Sequence, residues 1–223
     1  MKNKLNINYA AESHLVFADD VCLLIEESAK VRGTGIARRS PDYIRHKMQE
    51  GKAVIAFYGD TLAGFCYIES WGHDRFVANS GLIVHPELRG MGIAKLVKAK
   101  AFELSRKKFP DAKIFGLTTS LPVMKINSDL GYKPVTFSEL TDDEAFWKGC
   151  ESCVNYDILQ RTGRKQCLCT GMLFDPKKEE IYTNARFKPF KVYERWLRFK
   201  QHILFKRVKN RIKSKKKPSK QWA

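Results

Sequence analysis

One stretch limits the possible folds more than any other: "FVANSGLIVHPELRGMGIAKLVKAKAFELSRKKF", from Phe76 to Phe109. An apolar run ends at Val84 and passes through a glycine-rich turn. That turn opens a helix with Ile93, Leu96, Val97, Ala101 and Leu104 on one face, stopped before Pro110. A strand running through a tight turn into an amphipathic helix needs a sheet to pack against, which makes the chain mixed α/β. The turn itself is a candidate anion site. The first N–H groups of a helix are unpaired and carry partial positive charge, Gly90 and Gly92 let the backbone close round a pyrophosphate, and Arg89 adds a full charge.

Six of those letters nearly recur upstream, as "RGTGIA" within "RGTGIARR" at Arg32 to Arg39. This copy follows a helix, has no strand before it, and is separated from the next helix by two arginines and a serine. It is therefore not a phosphate loop. It reads either as a solvated basic loop or as a loop in which Arg32, Arg38 and Arg39 grip carboxylates. A charged hydrogen bond of that kind contributes about 1.5–3 kcal/mol.

The flanking patterns predict the element order β-α-α-β-β-β-α-β-α-β. A strand near Leu5 to Tyr9 precedes one amphipathic helix in "AESHLVFADDVCLLIEESAKV". Ser40 caps a short helix begun by Pro41 and stopped at Gly51. "AVIAFY", "LAGFCYIESW" and "FVANSGLIV" form an antiparallel meander, and "KIFGLTT", "LPVMKINSDLG" and "YKPVTF" supply strand, helix and strand. The expected architecture is α/β (α+β), a mostly antiparallel sheet flanked by helices, occupying residues 1–140. Residues 141–184 form a Cys-rich segment, and 185–223 a basic amphipathic helix with a lysine-rich end.

"VHPELRGMGIAKLVKAK" resembles the coenzyme A signature of the GNAT N-acetyltransferase superfamily through Arg89, Gly92 and Ala94, and "DLGY" at Asp129 to Tyr132 resembles the close of that family's fourth helix. The resemblance covers about Leu5 to Phe137. It implies an acyl-coenzyme A donor held by Arg89, Gly90, Met91, Gly92, Ile93 and Ala94, with Leu82, Ile83 and Val84 beside the pantetheine arm. It also places the loop between the first two helices next to the acceptor. "EESAKVRGTGIARR", "GFCYIESWGH" and "VMKINSDLGY" are further similar to bacterial arginine-pathway glutamate N-acyltransferases, which make N-acetyl- or N-succinylglutamate. That implies acetyl-CoA or succinyl-CoA as donor and glutamate as acceptor. A protein or polyamine amine is the alternative acceptor within the same fold.

Acyl transfer needs a neutral amine, a stabilised oxyanion and a proton for the departing thiolate. Glu69, on the third meander strand, is the best-placed base, and His85, before a proline on the loop side, is a weaker one. Ser80 lies in mid-strand beside the donor, where a backbone N–H such as that of Ile83 can hold the thioester oxygen. Many family members carry a tyrosine acid four residues before the helix-closing glycine. Here that position is Asn127, so Asn127 or Ser120 positions the coenzyme instead, or water protonates the thiolate.

Cys22 and Cys66 sit singly in apolar runs and read as small core residues. "CESC" and "CLC" place Cys150, Cys153, Cys167 and Cys169 in two tight pairs, a pattern that suits either a structural zinc knuckle or packed, redox-sensitive thiols. The charge of +17 is concentrated at one end. Residues 185–223 hold 15 Lys or Arg against one acid, Glu194, leaving 26 against 23 for the rest. The basic segment is a candidate for anionic membrane surfaces or, less favoured, nucleic acid, or simply a docking helix with a solvated tail. No apolar run approaches the roughly 20 residues of a membrane span, and no secretory h-region is present, so a cytoplasmic protein is expected.

Overall fold

The strands β1 (Leu5–Tyr9), β2 (Ala53–Tyr58), β3 (Thr61–Trp71), β4 (Phe76–Val84), β5 (Lys113–Thr118), β6 (Lys133–Val135) and β7 (Thr170–Phe174) form one sheet in the order β1-β2-β3-β4-β5-β7-β6. Every pairing is antiparallel except β4 with β5. This computed structural model describes residues 4–32 and 38–178. The chain divides into a unit ending at Lys177 and a second from Lys178 to Ala223; apart from Lys178, the second lies outside the described residues, as does the expected basic helix.

Side-chain alternation explains how the sheet is covered on both faces. Ala53, Ile55, Phe65 and Tyr67 point to one side, where α1 (Ala18–Arg32) and α2 (Pro41–Gln49) contribute Val21, Leu24, Ile25, Ile44 and Met48. Their neighbours Val54, Ala56, Cys66 and Ile68 point to the other, where α3 (Ile93–Lys108) contributes Ile93, Val97, Ala101 and Leu104. A half-buried strand would alternate apolar with polar. These strands are apolar throughout because both faces are packed.

Local signals act as the sequence predicts. Ser40 Oγ accepts the Tyr43 N–H at 3.2 Å, and Pro41 opens α2. Arg106, Lys107 and Lys108 occupy the last turn of α3, where positive charge complements the helix dipole. The predicted single N-terminal helix is instead a 3₁₀ segment, Glu12–Phe17, leading into α1.

The expected boundary near residue 140 does not separate two bodies. β7 comes from the Cys-rich segment, yet it lies between β5 and β6, pairing Ile114–Thr118 on one side and Lys133–Val135 on the other. The same segment adds α5 (Glu144–Lys148) and α6 (Tyr156–Arg161), whose Trp147 and Leu159 pack with Phe115, Phe137 and Leu173. Residues 141–177 thus belong to the same compact unit as the sheet. Among the described residues no helix is long and apolar enough to cross a membrane.

Candidate active site

β4 and β5 pair only from Phe76/Lys113 to Ala78/Phe115. Beyond that point β4 continues to Val84 and β5 to Thr118, and α4 (Leu121–Asp129) follows, so the strands part and leave a wedge. β4 also bulges. Its register with β3 slips between Phe65 and Tyr67, so Gly81 and Leu82 have no partners while Ile83 still faces Phe65. Gly81 has φ +64°, and a Cβ there would lie 2.6 Å from the Tyr67 ring, so the bulge requires glycine. The N–H expected of Ile83 is therefore better sought at the bulge, where the backbone is released from the ladder.

A cavity of about 480 Å³ runs into this wedge, lined by Asn79 to Leu82 from β4 and Gly116 to Thr118 from β5. At the end of β4, Gly90 and Gly92 have φ +85° and +79°, with nothing within 4 Å of where a side chain would start. Gly92 caps α3, leaving the first N–H groups of that helix facing open space. The geometry is that of an anion cradle.

The cavity's opposite wall is polar. Arg39 donates through Nε to Tyr67 Oη at 2.8 Å and through one terminal nitrogen to the Arg38 carbonyl at 2.8 Å, and its guanidinium lies 5.4 Å from the Tyr43 ring centre. Burial works against its charge, but Tyr67, Tyr43 and Glu69 outweigh burial and raise its pKa. Glu69 accepts from Tyr43 Oη and pairs with Lys47 Nζ at 2.7 Å. Burial and these neighbours push the Tyr43 phenol far above its ordinary range. Both oxygens of Glu69 are thus engaged, yet it is the one carboxylate among the lining residues.

Beneath the wedge lies a buried polar chain. Tyr132 Oη donates to Asn79 Oδ1 at 2.9 Å, Asn79 Nδ2 to Ser105 Oγ at 2.7 Å, and Ser105 Oγ to the Ala101 carbonyl at 2.9 Å. Lys98 projects from α3 into the same region with 2% exposure, its Nζ 5.3 Å from the Tyr132 ring centre. Burial lowers its pKa to about 8, the Cys66 thiol opposing slightly.

Residues 23–122 match the model of the acetyltransferase (GNAT) family. Over these residues, just under half of the chain, the sequence is similar to that family. No curated protein matches it. Among solved structures, N-acetylglutamate synthase from Neisseria gonorrhoeae, complexed with coenzyme A and N-acetyl-glutamate, superposes with a TM-score of 0.55 at 15% identity, covering 78% of this chain and 36% of that one. The Mycobacterium tuberculosis protein Rv2747, in complex with coenzyme A, gives 0.55 at 15% identity over 76% of this chain and 98% of that one. A Salmonella typhimurium protein, yncA, with its cofactor acetyl-CoA, gives 0.54 at 10% over 78% and 94%. At these identities the likeness concerns the GNAT fold. This chain spans about a third of the Neisseria synthase.

Within the GNAT frame, the predicted residues fall into three groups. Arg38, Arg39, Glu69, Ser80, Leu82 and Asn127 come together around the cavity. Met91, half-exposed, and Ile93 and Ala94 lie at the glycine turn, with Ile83 and Val84 leading to it. Arg32 ends α1, but its side chain and residues 33–37 lie outside the described residues. Two expectations shift: Ser120 starts α4 but does not line the cavity. Arg89 donates to the Val84 carbonyl at 3.4 Å and to Ser28 Oγ at 3.1 Å, so its guanidinium braces α1 against the turn.

The four cysteines of the expected zinc knuckle are near enough to act on one another electrostatically. Among the described residues no group of three or more Cys, His, Asp or Glu is placed to hold a metal ion. Cys150, Cys167 and Cys169 instead pack on the cluster of Phe137, Trp147 and Leu159, and the Cys167 thiol faces the Asn155 carbonyl at 3.9 Å. Burial and the neighbouring sulfurs raise the Cys150 thiol to about 11 and drive Cys169 the same way, so both stay neutral and pack as small hydrophobes. Cys150, Cys153 and Cys169 nevertheless line the cavity.

Tyr43, Tyr67, Lys47 and Lys98 are the site residues that the motifs did not announce. A helical wheel carries the signal for both lysines: Lys47 sits between Ile44 and Met48, and Lys98 between Val97 and Ala101, on buried faces.

Proposed function

We propose that this protein transfers an acyl group from a coenzyme A thioester to the amine of an acidic amino acid, glutamate being the acceptor that the site fits best. The observation that carries this reading is the charge pattern of one cavity. Arg38, Arg39 and Lys98 line it together with a single carboxylate, Glu69. A zwitterionic dicarboxylate presents two anions and one ammonium, which suits a cavity whose lining cations outnumber its one carboxylate. A polyamine or lysine acceptor would bring further positive charge toward two guanidiniums, which disfavours it. The Neisseria gonorrhoeae synthase, complexed with coenzyme A and N-acetyl-glutamate, supports the same assignment by its shared fold.

In this reading the diphosphate rests on the turn at Gly90 and Gly92, and the pantetheine arm follows the unpaired edge of β4, whose free N–H and C=O groups accept an amide chain as a strand would. The bulge at Gly81 and Leu82 supplies an N–H for the thioester oxygen. Arg39 holds a carboxylate of the acceptor, and Glu69 attracts the ammonium and takes its proton. Asn127, with an unpartnered buried Oδ1, aligns the coenzyme. General-base help of this kind contributes about 10²–10⁴-fold.

Thiol release from acetyl- and succinyl-CoA, measured against a panel of amino acids and polyamines, tests the proposal. Glutamate should stimulate release most, with one acyl group clearly preferred. Stimulation by polyamines above glutamate, or by no amine at all, would sink the acceptor assignment.

A further inference from the structure

Lys98 is an unusual group to find where it is. It sits six residues into α3, on the buried stripe that also holds Ile93, Val97, Ala101 and Leu104, and is 2% exposed. No hydrogen bond or ion pair ties its amine to any described side chain. A lysine buried without an anion is costly, and such groups persist where an anion forms or arrives.

Its position says which anion. The last paired residues of β4 and β5 are Ala78 and Phe115; the next two, Asn79 and Gly116, mark the apex of the wedge. A Cβ on Gly116 would lie 3.4 Å from the Asn79 carbonyl and 3.8 Å from Lys98 Nζ, so the amine stands beside the bare β5 backbone at that apex. Lys98 and Asn127 both line the cavity and both are buried, and Asn127 Oδ1 has no hydrogen-bond partner. The groups facing the amine are Cys66 from β3, Asn79 from β4, and Tyr132 following α4. Burial raises the Cys66 thiol to about 11 and the Tyr132 phenol well above its usual range, so neither supplies a charge at neutral pH. Glu69 is held on the α2 side by Lys47 and Tyr43.

We propose that Lys98 is the electrophile and acid for the leaving group: its ammonium stabilises the coenzyme A sulfur as the thioester breaks and delivers the proton that makes it a thiol. This rests on the acyl-CoA reading above and assigns the step left open by asparagine at position 127. The balance is simple. The acceptor nitrogen forms its bond to the acyl carbon as the carbon–sulfur bond breaks, and that bond's electron pair moves to sulfur. Sulfur takes a proton from Nζ; the nitrogen loses one to Glu69 or water; and Nζ regains one from water entering the cavity. An amine with a pKa of about 8 is matched to a thiol of about 8.5, and most of it is protonated at neutral pH.

Three measurements test it together. Ultraviolet titration of coenzyme A bound to the wild-type protein should show a thiol pKa below that of free coenzyme A. Wild type should prefer coenzyme A to desulfo-coenzyme A increasingly as the bound thiol ionises, and Lys98→Met should bind both alike. In turnover, kcat should fall above pH 8 in wild type. Lys98→Met should lose about 10²-fold in kcat with KM for the donor little changed, and should lose that alkaline limb. An unshifted bound thiol, or an unchanged pH profile in Lys98→Met, would overturn the proposal. If the variant does not fold, the wild-type thiol titration decides alone. Wild type binding neither coenzyme would defeat the acyl-CoA reading and this step with it, whereas binding both equally at every pH would defeat only this step.

Discussion

Arg39 enters the cavity already fixed: Tyr67 and the Arg38 carbonyl hold two of its nitrogens, and its side lies over Tyr43. A guanidinium locked in this way loses little rotamer freedom on gripping a carboxylate, which is where arginine differs from lysine. Arg39→Ala should raise KM for glutamate about 10–100-fold, from a lost interaction of about 1.5–3 kcal/mol, with the donor KM unaffected. Arg39→Lys should recover little of it; an unchanged glutamate KM in either variant would remove Arg39 from the site. Lys98 allows a second prediction, on stability. Its pKa is lowered to about 8 in the folded chain by burial and is near 10.5 when unfolded. Below pH 8 both states carry the proton and the folded one bears the desolvation cost; between 8 and 10.5 the unfolded state binds more protons, so stability rises with pH. Lys98→Met should therefore melt higher than wild type at pH 7, by a margin on the order of 3 kcal/mol that shrinks as pH climbs from about 8 to about 10.5. Both arginines could be read from "GIARR", since a cluster of guanidiniums announces itself. For Lys98 the helical wheel gives only its place on the buried stripe of α3; its role depends on that stripe meeting the wedge, a long-range matter that no local pattern encodes.

The strand–turn–helix from β4 to α3 was legible for the opposite reason, that strand pattern, glycines and helical stripe all lie within 33 residues of chain. Local propensity and global fold agree there. What the letters concealed is Arg89, which matches the motif but turns its guanidinium to Val84 and Ser28. Under the proposed function the diphosphate grip then falls to the backbone of the turn and the N-terminus of α3. Gly92 has φ +79° and no neighbour where a Cβ would go, so Gly92→Ala strains the backbone by about 1–2 kcal/mol and puts a methyl group into the space left for an anion. The expected outcome is a rise of roughly tenfold in KM for acetyl-CoA. Acetyl-pantetheine, which lacks the diphosphate, should show no such loss with the same variant. Equal losses with both donors would mean that the turn shapes the wedge rather than holding phosphate.

At the scale of the whole molecule, the sheet depends on a strand that the sequence hid. "TGMLF" is five residues following a cysteine-rich stretch, and nothing local says that it will pass between β5 and β6; its partners lie some 35 to 60 positions upstream. The four cysteines drew attention to a metal, whereas the energetic contribution of the segment is the burial of Met172, Leu173 and Phe174, each at 6% exposure or less. Removing buried side chains of this size costs roughly 2–5 kcal/mol each, which together is comparable to the whole stability of a domain, about 5–15 kcal/mol. Two truncations separate the consequences. Ending the chain after Cys169 should abolish cooperative thermal unfolding, because β5 and β6 lose their shared partner. Ending it after residue 184 keeps β7 and removes a segment with 15 Lys or Arg against one acid, which is a charge of +14. That shorter chain should keep kcat within about twofold, because every residue assigned to the cavity and turn is retained. Its sedimentation with vesicles rich in anionic lipid should fall sharply, since each basic residue near such a surface contributes about 1 kcal/mol. The full chain's binding should weaken steeply with salt, and the truncated chain's hardly at all. Equal vesicle binding by both chains would place any membrane contact in the folded unit, and a large loss of turnover on truncation would make the basic segment part of the enzyme.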